Sequence, residues 1–122
     1  MKSVWLDTYE VPSAASDQFV PGAHYDTVVA GAGLTGLTTA VLLARAGQRV
    51  AVLEARSVGA VTTGNTTAKL SLLQGTTLSQ IRRHQSDEVL RAYVEGNREG
   101  QSWLVRYLEE RGVPFQRRAA YT

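Results

Sequence analysis

The chain contains no cysteine. Disulfides, thiolate metal sites, iron–sulfur ligation and cysteine nucleophiles are therefore excluded within these 122 residues, and the composition suits a reducing compartment. Histidine is nearly as scarce: His24 and His84 stand far apart, and neither has an acidic neighbour at metal-site spacing. Both read as surface residues, and no metal is expected. No stretch approaches the roughly 18 consecutive apolar residues of a membrane span. The N-terminal MKSVWLDTYEVPSAASDQ lacks the apolar segment of a signal peptide, so a cytoplasmic location is the expectation. An excess of one charge is missing too. Thirteen Lys and Arg against 11 Asp and Glu leave a net charge of +2. The pairs Arg82-Arg83 and Arg117-Arg118 are not interleaved with aromatics, so they read as solvated faces and no nucleic-acid partner is expected.

What is present is ordinary globular material, 43% hydrophobic and 20% charged, long enough to bury a core. Its informative stretch is VVAGAGLTGLTTA, Val28 to Ala40, with glycines at 31, 33 and 36. Glycine inside an element costs up to about 1 kcal/mol relative to alanine, so something there requires bare backbone. The preceding DTVVAG reads as a short buried strand. Leu34, Leu37, Val41 and Leu42 then fit a 3.6-residue period, so a helix runs from Leu34 and stops at Gly47, where a left-handed cap is wanted. Arg49 to Ala55, RVAVLEA, is a second buried strand that carries Glu54. Strand, turn, helix and strand make a βαβ unit.

In that context each glycine has a task. Gly31 permits the tight turn, Gly33 lets backbone approach a pyrophosphate, and Gly36 lets helix and strand pack closely. The helix N-terminus, opening at Leu34 and Thr35, offers unpaired N–H groups and a positive dipole end to phosphate. Glu54 follows about 20 residues on, at the end of the second strand, where a carboxylate accepts from ribose hydroxyls. The glycine pattern alone is a weak signal; the agreement of strand, helix, stop and acid is what points to a dinucleotide.

Residues 1–24 read as an N-terminal arm broken by Pro12, Pro21 and Gly22, with Val4, Trp5 and Leu6 as an apolar anchor. The Thr- and Gly-rich segment after Glu54 offers hydroxyls and N–H groups at Thr62, Thr63, Gly64, Asn65, Thr66 and Thr67, fit either for wrapping a phosphate or flavin edge or for a flexible surface loop. Further on, TLSQIRRHQ reads as a short amphipathic helix with Leu78 and Ile81 inward. A long helix follows over 87–111, with Ser86 as N-cap, Asp87 and Glu88 in its first turn and Gly112 as its stop. Val89, Tyr93, Val94, Leu104, Tyr107 and Leu108 form its apolar stripe, while Gly96 and Gly100 allow close contact or a kink. Trp103 and the tyrosines read as core or interface, and VPFQRRAAYT as the start of a strand.

Together these residues resemble the N-terminal part of FAD-dependent oxidoreductases of the D-amino-acid oxidase and glycine oxidase type, over nearly the whole chain. VVAGAGLTGLTTAVLLARAGQRVAVLEA is similar to that family's FAD fingerprint. SVWLDT and VTTGNTTAKLS resemble a bacterial subgroup, some of whose members carry a C-terminal Rieske domain. Relatives there read TGHTTAK; Asn65 stands in place of that His and leaves the position without the imidazole a proton-transfer role needs. The resemblance implies FAD as cofactor. Gly31, Gly33, Leu34, Thr35 and Gly36 would face the pyrophosphate and Glu54 the adenosine ribose. Ala55 and Arg56 would lie toward the adenine, and the loop Thr62–Thr67 toward the pyrophosphate, ribityl chain or flavin ring.

The implied reaction is hydride removal from an amine or amino-acid-like substrate onto flavin; the catalytic residues are unknown. Enzymes of this type run to roughly three times this length, a size that means further domains. The chain is therefore read as an incomplete Rossmann-like α/β domain with a parallel sheet and a long helix. Its arm is 1–24 and its FAD-binding portion 25–122, with the substrate domain absent. Alone it is expected to be inactive, with exposed faces that self-associate. Two other readings stay open: an NAD(P)-binding unit, since such sites use an acid at the same distance, and a non-catalytic assembly module using the long helix and the Trp5 arm.

Overall fold

The computed structural model describes Ser3, Val4, Asp7 and residues 22–119. Trp5, Leu6, Pro12 and Pro21 of the arm lie outside the described residues. The chain is α/β and divides into two compact units, the first ending at Thr67 and the second beginning at Ala68.

The first unit is built on two short parallel strands, β1 (Thr27–Ala30) and β2 (Val50–Leu53). They pair Thr27↔Val50, Val28↔Ala51, Val29↔Val52 and Ala30↔Leu53. Backbone bonds extend the ladder beyond both ends, from Asp26 N–H to the Arg49 carbonyl (2.9 Å) and from Gly31 N–H to the Leu53 carbonyl (2.7 Å). Parallel strands need a crossover, and α1 (Leu34–Arg45) supplies it. It ends as its sequence dictates: Gly47 takes φ +89°, its N–H meets the Ala44 carbonyl, and Gln48 N–H reaches back to the Leu43 carbonyl. This paired closure satisfies carbonyls that the last turn leaves unbonded. The side chain of Asp26 accepts from Arg49 N–H at 2.7 Å and so pins the start of β1 to the start of β2.

The second unit pairs α2 (Thr77–His84) with α3 (Asp87–Glu110). Ser86 caps α3 by accepting from Val89 N–H at 3.3 Å, and Asp87 and Glu88 occupy its first turn. Leu78 and Ile81 are half-buried, as are Tyr93, Val94, Leu104, Tyr107 and Leu108; Val89 is exposed, and Leu90 takes its place in the stripe. The middle of that stripe is polar. Gln74 donates to Asn97 (2.8 Å) and accepts from the Tyr93 hydroxyl, Asn97 donates to the Tyr93 carbonyl (2.7 Å), and Gln101 donates to the Leu70 carbonyl (3.3 Å). These bonds tie the segment before α2 onto α3. The helix is unbroken through Gly96 and Gly100, where an added Cβ would meet nothing within 4 Å, so neither glycine serves a close approach.

No strand forms over the described residues 113–119. The helix ends in a second glycine closure in which Val113 N–H donates to the Leu108 carbonyl at 2.9 Å, so the amide a strand would use is already spent. Arg117 then pairs with Glu109 at 2.6 Å, folding the segment back along the helix.

The interior is thin. Ala32, 2% exposed, is the buried hydrophobic residue among those described, and no larger side chain is fully buried. Val28 and Leu53 stay 57% and 54% exposed.

Candidate dinucleotide site

The site grows from the point where β1 ends. Gly31 takes φ +100°, a conformation with a steric cost for any residue bearing a Cβ, and turns the chain out of the sheet. Gly36 lies in the first turn of α1. A Cβ there would overlap the Gly31 carbonyl oxygen and stand 3.3 Å from Val29 Cγ1, so glycine fixes how closely α1 sits on β1. Gly33 precedes the helix, and a Cβ on it would come within 3.3 Å of the Thr63 hydroxyl.

The strand register sets Glu54 level with this turn. Because Ala30 pairs with Leu53, the residues after each strand leave the sheet side by side. The Glu54 carboxylate then accepts from Ala32 N–H through Oε2 and from Arg56 N–H through Oε1, each at 2.8 Å. The Ala32 N–H first and the Arg56 N–H second hold its carboxyl below the usual carboxylate range. Desolvation opposes these two bonds, and the Ala55 N–H and the Arg56 charge add lesser lowering effects. The group is an exposed carboxylate with two backbone donors on it, and lone pairs remain to accept hydroxyls.

A third segment closes the arrangement. Gly59 N–H donates to the Ala32 carbonyl at 3.0 Å, and Thr63 Oγ1 accepts from Leu34 N–H, the first amide of α1, at 2.9 Å. Thr63–Asn65 forms a single 3-10 turn with Gly64 buried in it, its N–H on the Gly59 carbonyl at 2.7 Å. The cleft so formed has a volume of about 190 Å³ and is lined by Gly33, Glu54, Gly59, Ala60, Val61, Thr62 and Thr63. That is below the ~300–1,000 Å³ of pockets that enclose a whole drug-sized ligand. It suits a diphosphate and ribose, the anionic and hydroxyl-bearing part of a dinucleotide. Amides at a helix N-terminus, a positive dipole end and a ribose acceptor are the donor set such a group needs.

Of the residues singled out in the sequence, Gly33, Glu54, Thr62 and Thr63 line this cleft, and Gly31, Leu34 and Gly36 build the turn beneath it. Thr35 follows in the first turn of α1, and Arg56 contributes its amide to Glu54 with Ala55 between them. The loop is an ordered turn where the sequence left a flexible surface loop open. Thr66 and Thr67 do not line the cleft. The Asn65 side chain donates to the Val61 carbonyl at 2.6 Å, bracing its own loop. Ala32, Gly59, Ala60 and Val61 were missed. Ala32 and Gly59 act through backbone groups, which no side-chain pattern displays; a glycine four residues before Thr63 was the available sign of a turn.

No helix among the described residues is long and apolar enough to cross a membrane. Residues 26–121 match the DAO family, described as FAD-dependent oxidoreductase. The chain is also similar to a Bacillus subtilis (strain 168) protein, YhfW, whose name describes a Rieske 2Fe-2S iron-sulfur protein. The two are 29% identical over 112 residues, which is 92% of this chain and 22% of the relative. The chain thus spans about a fifth of that relative's length. No solved structure matches. Between the two cofactors that the glycine fingerprint alone leaves open, the family uses FAD. Built on a βαβ unit whose strand-end acid bonds the glycine turn, and matched over residues 26–121, this chain belongs to the DAO family of FAD-dependent oxidoreductases.

Proposed function

We propose that this chain supplies the adenosine-diphosphate half of an FAD site, in an oxidoreductase that oxidises an amine or amino-acid-like substrate. The observation that carries this reading is the Glu54 carboxylate drawn to the glycine turn at 2.8 Å from Ala32 N–H. It puts an acceptor for ribose hydroxyls beside the amides and dipole of α1, so one cleft holds the two recognition elements of an adenosine diphosphate. Gly33, Leu34 and Thr35 face the diphosphate, Glu54 holds the ribose, and Arg56 lies toward the adenine. Thr62 and Thr63 line the loop side of the same cleft. When bound, FAD would supply two-electron acceptor chemistry for hydride removal from the substrate carbon.

The chain's own residues bind and orient the cofactor; among the described residues no side chain is placed to orient a substrate. Turnover requires donor and acceptor held at near-attack geometry, an advantage of about 7–11 kcal/mol that a half-site does not provide. The 122-residue chain is accordingly inactive alone. Titration of the chain with FAD, ADP and NAD by calorimetry tests the binding reading. FAD, ADP and NAD should bind with comparable affinity because the contacts lie in the adenosine-diphosphate half all three share, and failure of ADP to bind would overturn the reading. Anaerobic mixing with FAD and amines tests inactivity, and flavin bleaching faster than with free FAD would refute it.

A further inference from the structure

The Thr63 hydroxyl sits on the glycine turn at the head of α1. It accepts from Leu34 N–H at 2.9 Å and is also the atom that a Cβ on Gly33 would crowd, at 3.3 Å. The donor at the head of α1 and the bare Cα beside it, which the fingerprint provides for an anion, are thus both used by a side chain 29 residues away. This contact is built. Gly59 N–H on the Ala32 carbonyl anchors one end of the segment, and Leu34 N–H on Thr63 anchors the other, so residues 59–63 straddle the turn. Gly64 N–H on the Gly59 carbonyl and Asn65 Nδ2 on the Val61 carbonyl then fix the turn that presents Thr63.

We infer that the segment 59–65 is a clasp that caps α1 with Thr63 when no dinucleotide is bound, and that cofactor entry displaces the Thr63 hydroxyl from Leu34 N–H. This rests on the reading of the turn as a diphosphate cradle. Leu34 has a single N–H, and a hydroxyl and a phosphate oxygen cannot both take it in good geometry. A phosphate oxygen wins the exchange because it is charged and meets the positive end of the helix, whereas the hydroxyl is neutral. The clasp is therefore an internal competitor: it keeps the helix head satisfied and sets a threshold on binding.

The test is Thr63→Val, which keeps the shape and removes the hydroxyl, with Thr63→Ser as the variant that retains it. In the ligand-free chain, amide hydrogen exchange at Leu34 should speed up about two- to tenfold in Thr63→Val, the size of one lost hydrogen bond. It should stay at the parent value in Thr63→Ser, with exchange at Val29 reporting that the sheet is intact in both. ADP, titrated as the probe, should bind Thr63→Val about two- to tenfold more tightly. Weaker ADP binding, or Leu34 exchange unchanged in Thr63→Val, overturns the clasp. Failure of the parent chain to bind ADP overturns the diphosphate reading instead, and Leu34 exchange still decides whether Thr63 caps the helix.

Discussion

Glu54 shows how one side chain serves two purposes. Its two backbone bonds tie the strand end to the glycine turn, and the same bonds depress its pKa. A carboxyl whose folded pKa is lowered stabilises the fold above its unfolded value, about 4.3 for Glu, and loses that contribution as pH falls through the lowered folded value. The Ala32 amide resonance should therefore hold steady from neutral pH through the ordinary Glu range and shift only below it. Movement between pH 5 and 8 would contradict the assignment. Glu54→Gln supplies one carbonyl oxygen where two acceptors are needed, so it should displace the Ala32 resonance and weaken FAD binding about tenfold, read by titration. Gly36→Ala is the steric counterpart. Its Cβ collides with backbone rather than with a movable side chain, so it should destabilise the chain by about 2 kcal/mol or more in a denaturant melt. Ala68 is the described non-glycine residue with positive φ, at 54°. A glycine there relieves the steric cost but loosens the unfolded chain, and Ala68→Gly should melt within about 1 kcal/mol of the parent.

The elements were legible wherever a local rule chose the backbone. Leu34–Arg45 and Asp87–Glu110 start and stop where Gly33, Ser86, Gly47 and Gly112 place them, because capping is decided within a few residues of sequence. Ser86→Ala should accordingly cost about 1 kcal/mol, seen as loss of helical signal at lower denaturant. The expected strand after Gly112 failed for the opposite reason. VPF has strand-like residues, but a strand also needs a partner edge, and the Val113 amide is spent on Leu108. The apolar stripe of α3 was half visible in the same way. Its aromatic and aliphatic positions follow the helical period, whereas Asn97 and Gln101 sit on that face through bonds to Gln74 and Leu70, long-range pairings that periodicity does not carry. At the cleft the glycines and Glu54 were legible as a motif, and the contacts of Gly59 and Ala32 were not, being backbone to backbone.

At the scale of the molecule, a parallel sheet of two strands is an exposed object. Such sheets are ordinarily covered on both faces, yet Val28 and Leu53 remain more than half exposed here. The chain should self-associate with rising concentration, measured by sedimentation; a strictly monomeric species at high concentration would show that these faces are inert. The best-buried hydrophobic residue, Ala32, lies in the glycine turn itself, against Glu54 and Gly59. The best-buried hydrophobic position therefore adjoins the proposed cofactor cleft. If the proposed nucleotide fills this cleft, it acts as a missing piece of interior, and its supply would help determine how much folded protein exists. A ligand bound only by the native state adds about 2.7 kcal/mol at a hundred times its Kd, a large share of what a thin-cored chain of this size can muster. In a cell, scarcity of such a ligand would then be registered as faster turnover of the polypeptide by proteases.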